Sequence, residues 1–115
     1  MDKRYTYHNL VGGWYLELNG KWADRLMVLS QGSNYEFYIW DDKFENTQRL
    51  LTIYVFTDQE RASQANKEGR FLLYSTDTIT YAVALEPTAR SYGITLNDIT
   101  EAFKLIQQDW KTGET

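Results

Sequence analysis

One change of period constrains this chain more than any other feature. Up to about residue 86, apolar side chains alternate with polar ones in short runs. After Thr95 they recur at Leu96, Ile99, Phe103, Ile106 and Trp110, at spacings of three, four, three and four. Alternation is the signature of a strand with one buried face, and the three-four spacing is that of a helix. The expectation is an α+β fold: an antiparallel sheet of about six strands with a C-terminal helix packed on one face.

The expected strands are residues 14–18, 25–29, 35–40, 49–56, 70–75 and 79–86. In the fourth, Leu51, Ile53 and Val55 lie on one side and Leu50, Thr52, Tyr54 and Phe56 on the other. Apolar residues on both faces predict a central strand, covered on both sides. Asn19-Gly20 suits a two-residue hairpin turn because both residues tolerate positive φ; a wider connection through 21–24 is equally open. Thr57-Asp58-Gln59-Glu60 has the form of a capping box, which predicts a short polar helix or surface turn over 58–67, stopped by Gly69. Residues 87–93 break the pattern, and Thr95 or Asn97 caps the final helix. Residues 1–11 and 112–115 are expected to be loosely ordered at the ends of a single domain spanning 1–115.

Apolar residues make up 43% of the 115 and aromatics 16%, enough for a real core. Twelve Lys and Arg are scattered among sixteen carboxylates, for a net charge of −4. A nucleic-acid partner needs a basic face, and none is expected. The absence of Cys removes disulfides, thiolate chemistry and cysteine-ligated metals. No apolar run approaches the ~20 residues of a membrane helix, and the first eight residues lack the apolar segment of a secretory signal. These residues leave the compartment open between cytosol and cell envelope.

Motifs that carry chemistry are missing. His8 is the only histidine, whereas a triad or histidine metal site needs partners held beside it. No serine sits in a Gly-x-Ser-x-Gly elbow, and Gly12-Gly13 precedes a strand instead of leading into a helix, so it is no phosphate loop. Asp41, Asp42, Glu45 and Asn46 share one turn and could offer oxygen ligands to a hard cation. Their spacing is not that of a calcium loop, Lys43 opposes the charge, and Asp and Asn suit turns in any case. No metal and no cofactor is expected. Glu17 and Glu36 would be neighbours only if their strands were.

The aromatic supply is the one unusual quantity: Trp14, Trp22, Trp40, Trp110 and nine tyrosines. Two readings stay open. The rings fill the core, each burying roughly 150–250 Å². Alternatively Tyr38, Trp40, Tyr54 and Tyr74 form a flat patch on the sheet for a protein, peptide or glycan. Two further classes compete: a homodimeric scaffold paired through a sheet edge or the aromatic face, and a small carboxylate-dependent enzyme using Asp41, Asp42 or Glu45.

The order of Leu16-Glu17-Leu18-Asn19-Gly20-Lys21-Trp22, Glu36-Phe37-Tyr38, Leu51-Thr52-Ile53-Tyr54-Val55, Tyr74-Ser75 and Tyr81-Ala82-Val83-Ala84-Leu85 resembles a group of uncharacterised lipoprotein domains of Gram-positive bacteria. More distantly it is similar to the PsbP and DcrB type of α/β sandwich. The likeness spans roughly residues 14–110; Asn19 stands where the group usually has Pro, and there is no Cys to lipidate. The resemblance implies an extracytoplasmic domain of unknown function and brings no catalytic residue. The aromatic-rich sheet and the lack of a catalytic constellation make a non-enzymatic binding or interaction module of the bacterial cell envelope the preferred expectation.

Overall fold

The computed structural model describes residues 3–10, 12–43, 45–57, 69–76 and 78–105. Strand accounts for 60% of them, so the fold is β-rich, and every ladder is antiparallel. The chain divides into two compact units, residues 1–24 with 94–115, and residues 25–93.

The first unit is a three-stranded sheet of order β1-β2-β8, built from β1 (Lys3–Asn9), β2 (Trp14–Gly20) and β8 (Phe103–Leu105). Register places Tyr5, Tyr7 and Asn9 beside Leu18, Leu16 and Trp14 on one face. Phe103 and Leu105 join that face opposite Leu16 and Trp14. Trp14 and Leu16 are fully buried, with Leu18, Asn9 and Phe103 nearly so. The Trp14 ring lies 5.6 Å from Phe103 and 5.5 Å from Tyr7. Burial of each such large apolar side chain contributes roughly 1.5–3 kcal/mol. The opposite face carries Arg4, Thr6, His8, Glu17, Asn19 and Lys104 and is wet, with Arg4 bonded to Glu17 at 3.3 Å. Asn9 closes the β1–β2 connection: its Oδ1 accepts from the Gly12 N–H at 2.6 Å and its carbonyl from Gly13, which sits at φ 75°. A helix, Leu96–Ala102, lies against β2 and fully buries Ile99. Thr95 is its N-cap and forms a reciprocal capping box with Asp98.

A 3-10 turn, Ala23–Arg25, leads into the second unit. Its sheet has five strands: β3 (Leu26–Gln31), β4 (Asn34–Asp41), β5 (Asn46–Phe56), β6 (Phe71–Ser75) and β7 (Thr80–Leu85), in the order β3-β4-β5-β7-β6. Phe37, Ile39, Leu51, Ile53, Tyr81 and Val83 share one face by register and are all buried. β5 is the central strand, and four successive residues, Leu50, Leu51, Thr52 and Ile53, are buried there. A bulge in the β4–β5 ladder at Phe37/Tyr38 inserts Leu50 as an extra residue. A short helix, Pro87–Ser91, lies against β5 and buries Ala89. We call the two helices α1 (Pro87–Ser91) and α2 (Leu96–Ala102).

All six strands expected from the alternation are present, but as parts of two sheets of three and five strands instead of one sheet of six. Within the end expected to be loosely ordered, Lys3–Asn9 forms β1. The single long C-terminal helix is also corrected. It stops at Ala102, Phe103 adopts extended backbone (φ −81°, ψ 127°), and Phe103–Leu105 pairs with β2. The physical reason is that Phe103-Lys104-Leu105 alternates as well as it spirals, and as a strand paired with β2 it stacks Phe103 on Trp14. Ile106 and Trp110, the expected helix over 58–67 and the tail 112–115 lie outside the described residues. Asn19-Gly20 is not a turn but the end of β2, and the connection is the wider one through Ala23–Arg25. The residues after β7 form α1, with Pro87 at its first turn, where a missing N–H costs nothing.

Candidate functional site

The aromatic side chains proposed from sequence fall in the second unit, and register decides which of them meet. Tyr38 and Trp40 follow each other on the face of β4 opposite Phe37 and Ile39. On that face Met27 of β3 lies directly beside Tyr38, and Leu29 lies beside Glu36. Met27 is 44% exposed, Leu29 46% and Trp40 37%, with Tyr38 half-buried. Four large apolar side chains from two adjacent strands thus share one solvent-facing surface.

Polar contacts hold this surface in place. Trp40 Nε1 donates to Asp42 Oδ1 at 2.6 Å, and the Trp40 carbonyl accepts from Arg25 at 3.3 Å. Tyr38 donates to Glu36 Oε1 at 3.3 Å. Arg49, opposite Tyr38 on β5, bridges Glu36 at 2.7 Å and Glu86 at 2.8 Å. Those two carboxylates raise the guanidinium pKa, the hydrogen bond that Arg49 donates to Glu36 being the largest cause.

Tyr54 and Tyr74 do not join the patch. Tyr54 shares the face but is paired with Asn34, four positions along β4 from Tyr38, or about 13 Å at strand rise. Its ring stacks with Phe56 (5.9 Å, 4°), and the Arg70 guanidinium lies 4.1 Å from its centroid. That leaves a cation–π stack, with the ring face engaged inside the molecule. Tyr74 is on the other face. A register shift between Leu72 and Tyr74 sets it opposite Tyr81, whose partner on β5 is Val55. The flat four-residue patch is therefore corrected to two of its members, Tyr38 and Trp40, joined by Met27 and Leu29. The signal for the newcomers was legible as Leu26-Met27-Val28-Leu29, an uncharged apolar run longer than a one-sided strand requires.

The carboxylates suspected of chemistry are absorbed into turn architecture. Asp41 accepts from the Tyr92 hydroxyl at 3.1 Å, from Gln48 Nε2 at 3.3 Å and from the Lys43 N–H at 2.9 Å. Thr88 of α1 donates to Gln48 Oε1, so this cluster ties the α1 end of the chain to the sheet. Burial, then the bond to Asp41, raises the Tyr92 pKa. Asp42 holds Trp40, and Glu45 takes the left-handed turn position at φ 52°. Among the described residues no three His, Asp or Glu side chains gather as a metal site. Glu17 and Glu36 lie in different sheets. His8 is exposed and stacks on Tyr15 at 5.1 Å. No described helix is long and apolar enough to cross a membrane. No family model, curated protein or solved structure matches the chain.

Proposed function

We propose that this chain is a non-enzymatic interaction module that docks an extended, apolar stretch of polypeptide along β3 and over Met27, Leu29, Tyr38 and Trp40. One observation carries the reading: β3 is an edge strand without the usual protection. Among the described residues it pairs only with β4, in an unbroken register. Natural sheet edges are commonly blunted by a lysine, a proline or a bulge. Leu26–Gln31 has none of the three. An added strand would gain main-chain hydrogen bonds at the edge and side-chain contacts on the exposed face, the recognition mode of β-augmentation. Met27 and Leu29 offer no hydrogen-bonding groups of the kind a glycan requires, which favours polypeptide over sugar. The resemblance to envelope lipoprotein domains of Gram-positive bacteria supports the cell envelope as the place of action.

Selection of displayed peptides against the immobilised protein tests this. The expected binders carry alternating apolar residues, and Leu29→Lys and Trp40→Ala each weaken them by roughly tenfold or more, the effect of losing an interface anchor. Binders indifferent to both substitutions would place recognition elsewhere.

A further inference from the structure

We infer that the polypeptide occupying the β3 edge is the β3 strand of a second copy of this chain, laid antiparallel across a two-fold axis. The inference rests on the docking role of β3 proposed above and names its occupant. A two-fold interface sets residue i of one copy against residue j of the other and j against i, so a strand without charge meets a strand without charge. β3 is a six-residue strand with no charged side chain. Centred on Val28, antiparallel self-pairing sets Met27 opposite the partner's Leu29 and Leu26 opposite the partner's Ser30. Paired residues point to the same side of a sheet. The exposed Met27 and Leu29 of both copies therefore merge into one apolar strip, flanked by Tyr38 and Trp40 of each.

The opposite edge is a poorer candidate. β6 also exposes large apolar residues, Phe71, Leu72 and Tyr74, but its ladder carries a register shift at Leu72/Tyr74. A bulge twists an edge away from regular pairing. β3 has no such shift, so its backbone can zip along its whole length.

Scale and charge set the behaviour. Two six-residue strands and a narrow apolar strip make a contact at the small end of specific interfaces, which are weak and dynamic. Each copy carries a net charge of −4, so the copies repel at long range while the contact itself is neutral. Salt screens that repulsion. Dimerisation therefore strengthens as ionic strength rises, unlike an ion-paired interface.

Sedimentation velocity of the full chain, from about 1 µM to about 1 mM, tests the inference over the range of weak association. The expected result is a mass that climbs from monomer toward dimer, more readily at high salt. Leu29→Glu should weaken the dimer by roughly tenfold or more, as expected for an interface anchor. The double variant Met27→Lys with Leu29→Glu should recover it, because the new ammonium at 27 faces the new carboxylate at the partner's 29. Both positions are exposed, and an unchanged denaturant midpoint verifies that the variants fold. Monomer at every concentration would overturn the inference, as would a dimer indifferent to Leu29→Glu or a double variant no better than the single one. Monomer throughout, with selected peptides still dependent on Leu29 and Trp40, removes the second copy and leaves the docking edge standing.

Discussion

Gly20 shows what a single residue decides here. It lies in strand backbone, and the space a Cβ would take is filled by the Trp22 ring, with Nε1 2.6 Å and Cζ2 2.7 Å from that position. Glycine is present for close approach, not for an unusual φ. Gly20→Ala should therefore cost roughly 1–3 kcal/mol as Trp22 is pushed off, read as a lower urea midpoint with an unchanged slope. From sequence, Asn19-Gly20 suggests a turn because local chemistry is all a dipeptide displays; the ring two residues on is a tertiary fact. Tyr74 teaches the same lesson. Its side of the sheet depends on a one-residue bulge, which reverses the face without leaving a mark in the alternation. Tyr38 and Trp40 were legible because β4 alternates through both of them.

Among the elements, strands that bury one face announced themselves, and β5 announced its central place through two apolar faces. β1 was hidden because its inward residues Tyr5 and Tyr7 are amphipathic, with rings that half-bury and hydroxyls that stay polar, so they mark no clear apolar face. β8 was hidden for the converse reason: three residues are too few for a period, and Phe103-Lys104-Leu105 fits either one. Its energetics follow from the strand reading. Phe103 is 7% exposed and stacked on Trp14. Phe103→Ala should cost about 3–5 kcal/mol through the cavity it leaves. Because β8 pairs Phe103 with Leu16, the variant should also lose hydrogen-exchange protection on β2. Full protection there would show that the short strand contributes little.

For the whole molecule, the titration of tyrosines sets the alkaline limit. Tyr5 and Tyr81 have raised pKa values through burial, and Tyr92 through burial and its bond to Asp41. The folded state holds these protons more tightly than the unfolded chain, whose tyrosines titrate near ~10. Their contribution is complete below pH ~10 and is lost as pH rises through the folded values. Tyrosinate absorbance followed with circular dichroism should show a late-ionising fraction that titrates together with unfolding. Smooth titration of all nine with the fold intact would remove these three from the stability of the molecule. The division into two units was not legible, since no linker composition marks either junction. The unit containing β1 and β2 is discontinuous in sequence: its third strand arrives only at Phe103, after the whole 25–93 stretch has intervened. Synthesis runs from the N-terminus, so the ribosome delivers every strand of the five-stranded sheet before it delivers the one that covers Trp14. Until the last dozen described residues emerge, the nascent β1–β2 hairpin keeps part of the apolar face around Trp14 uncovered, which makes that interval the natural window for a chaperone to engage.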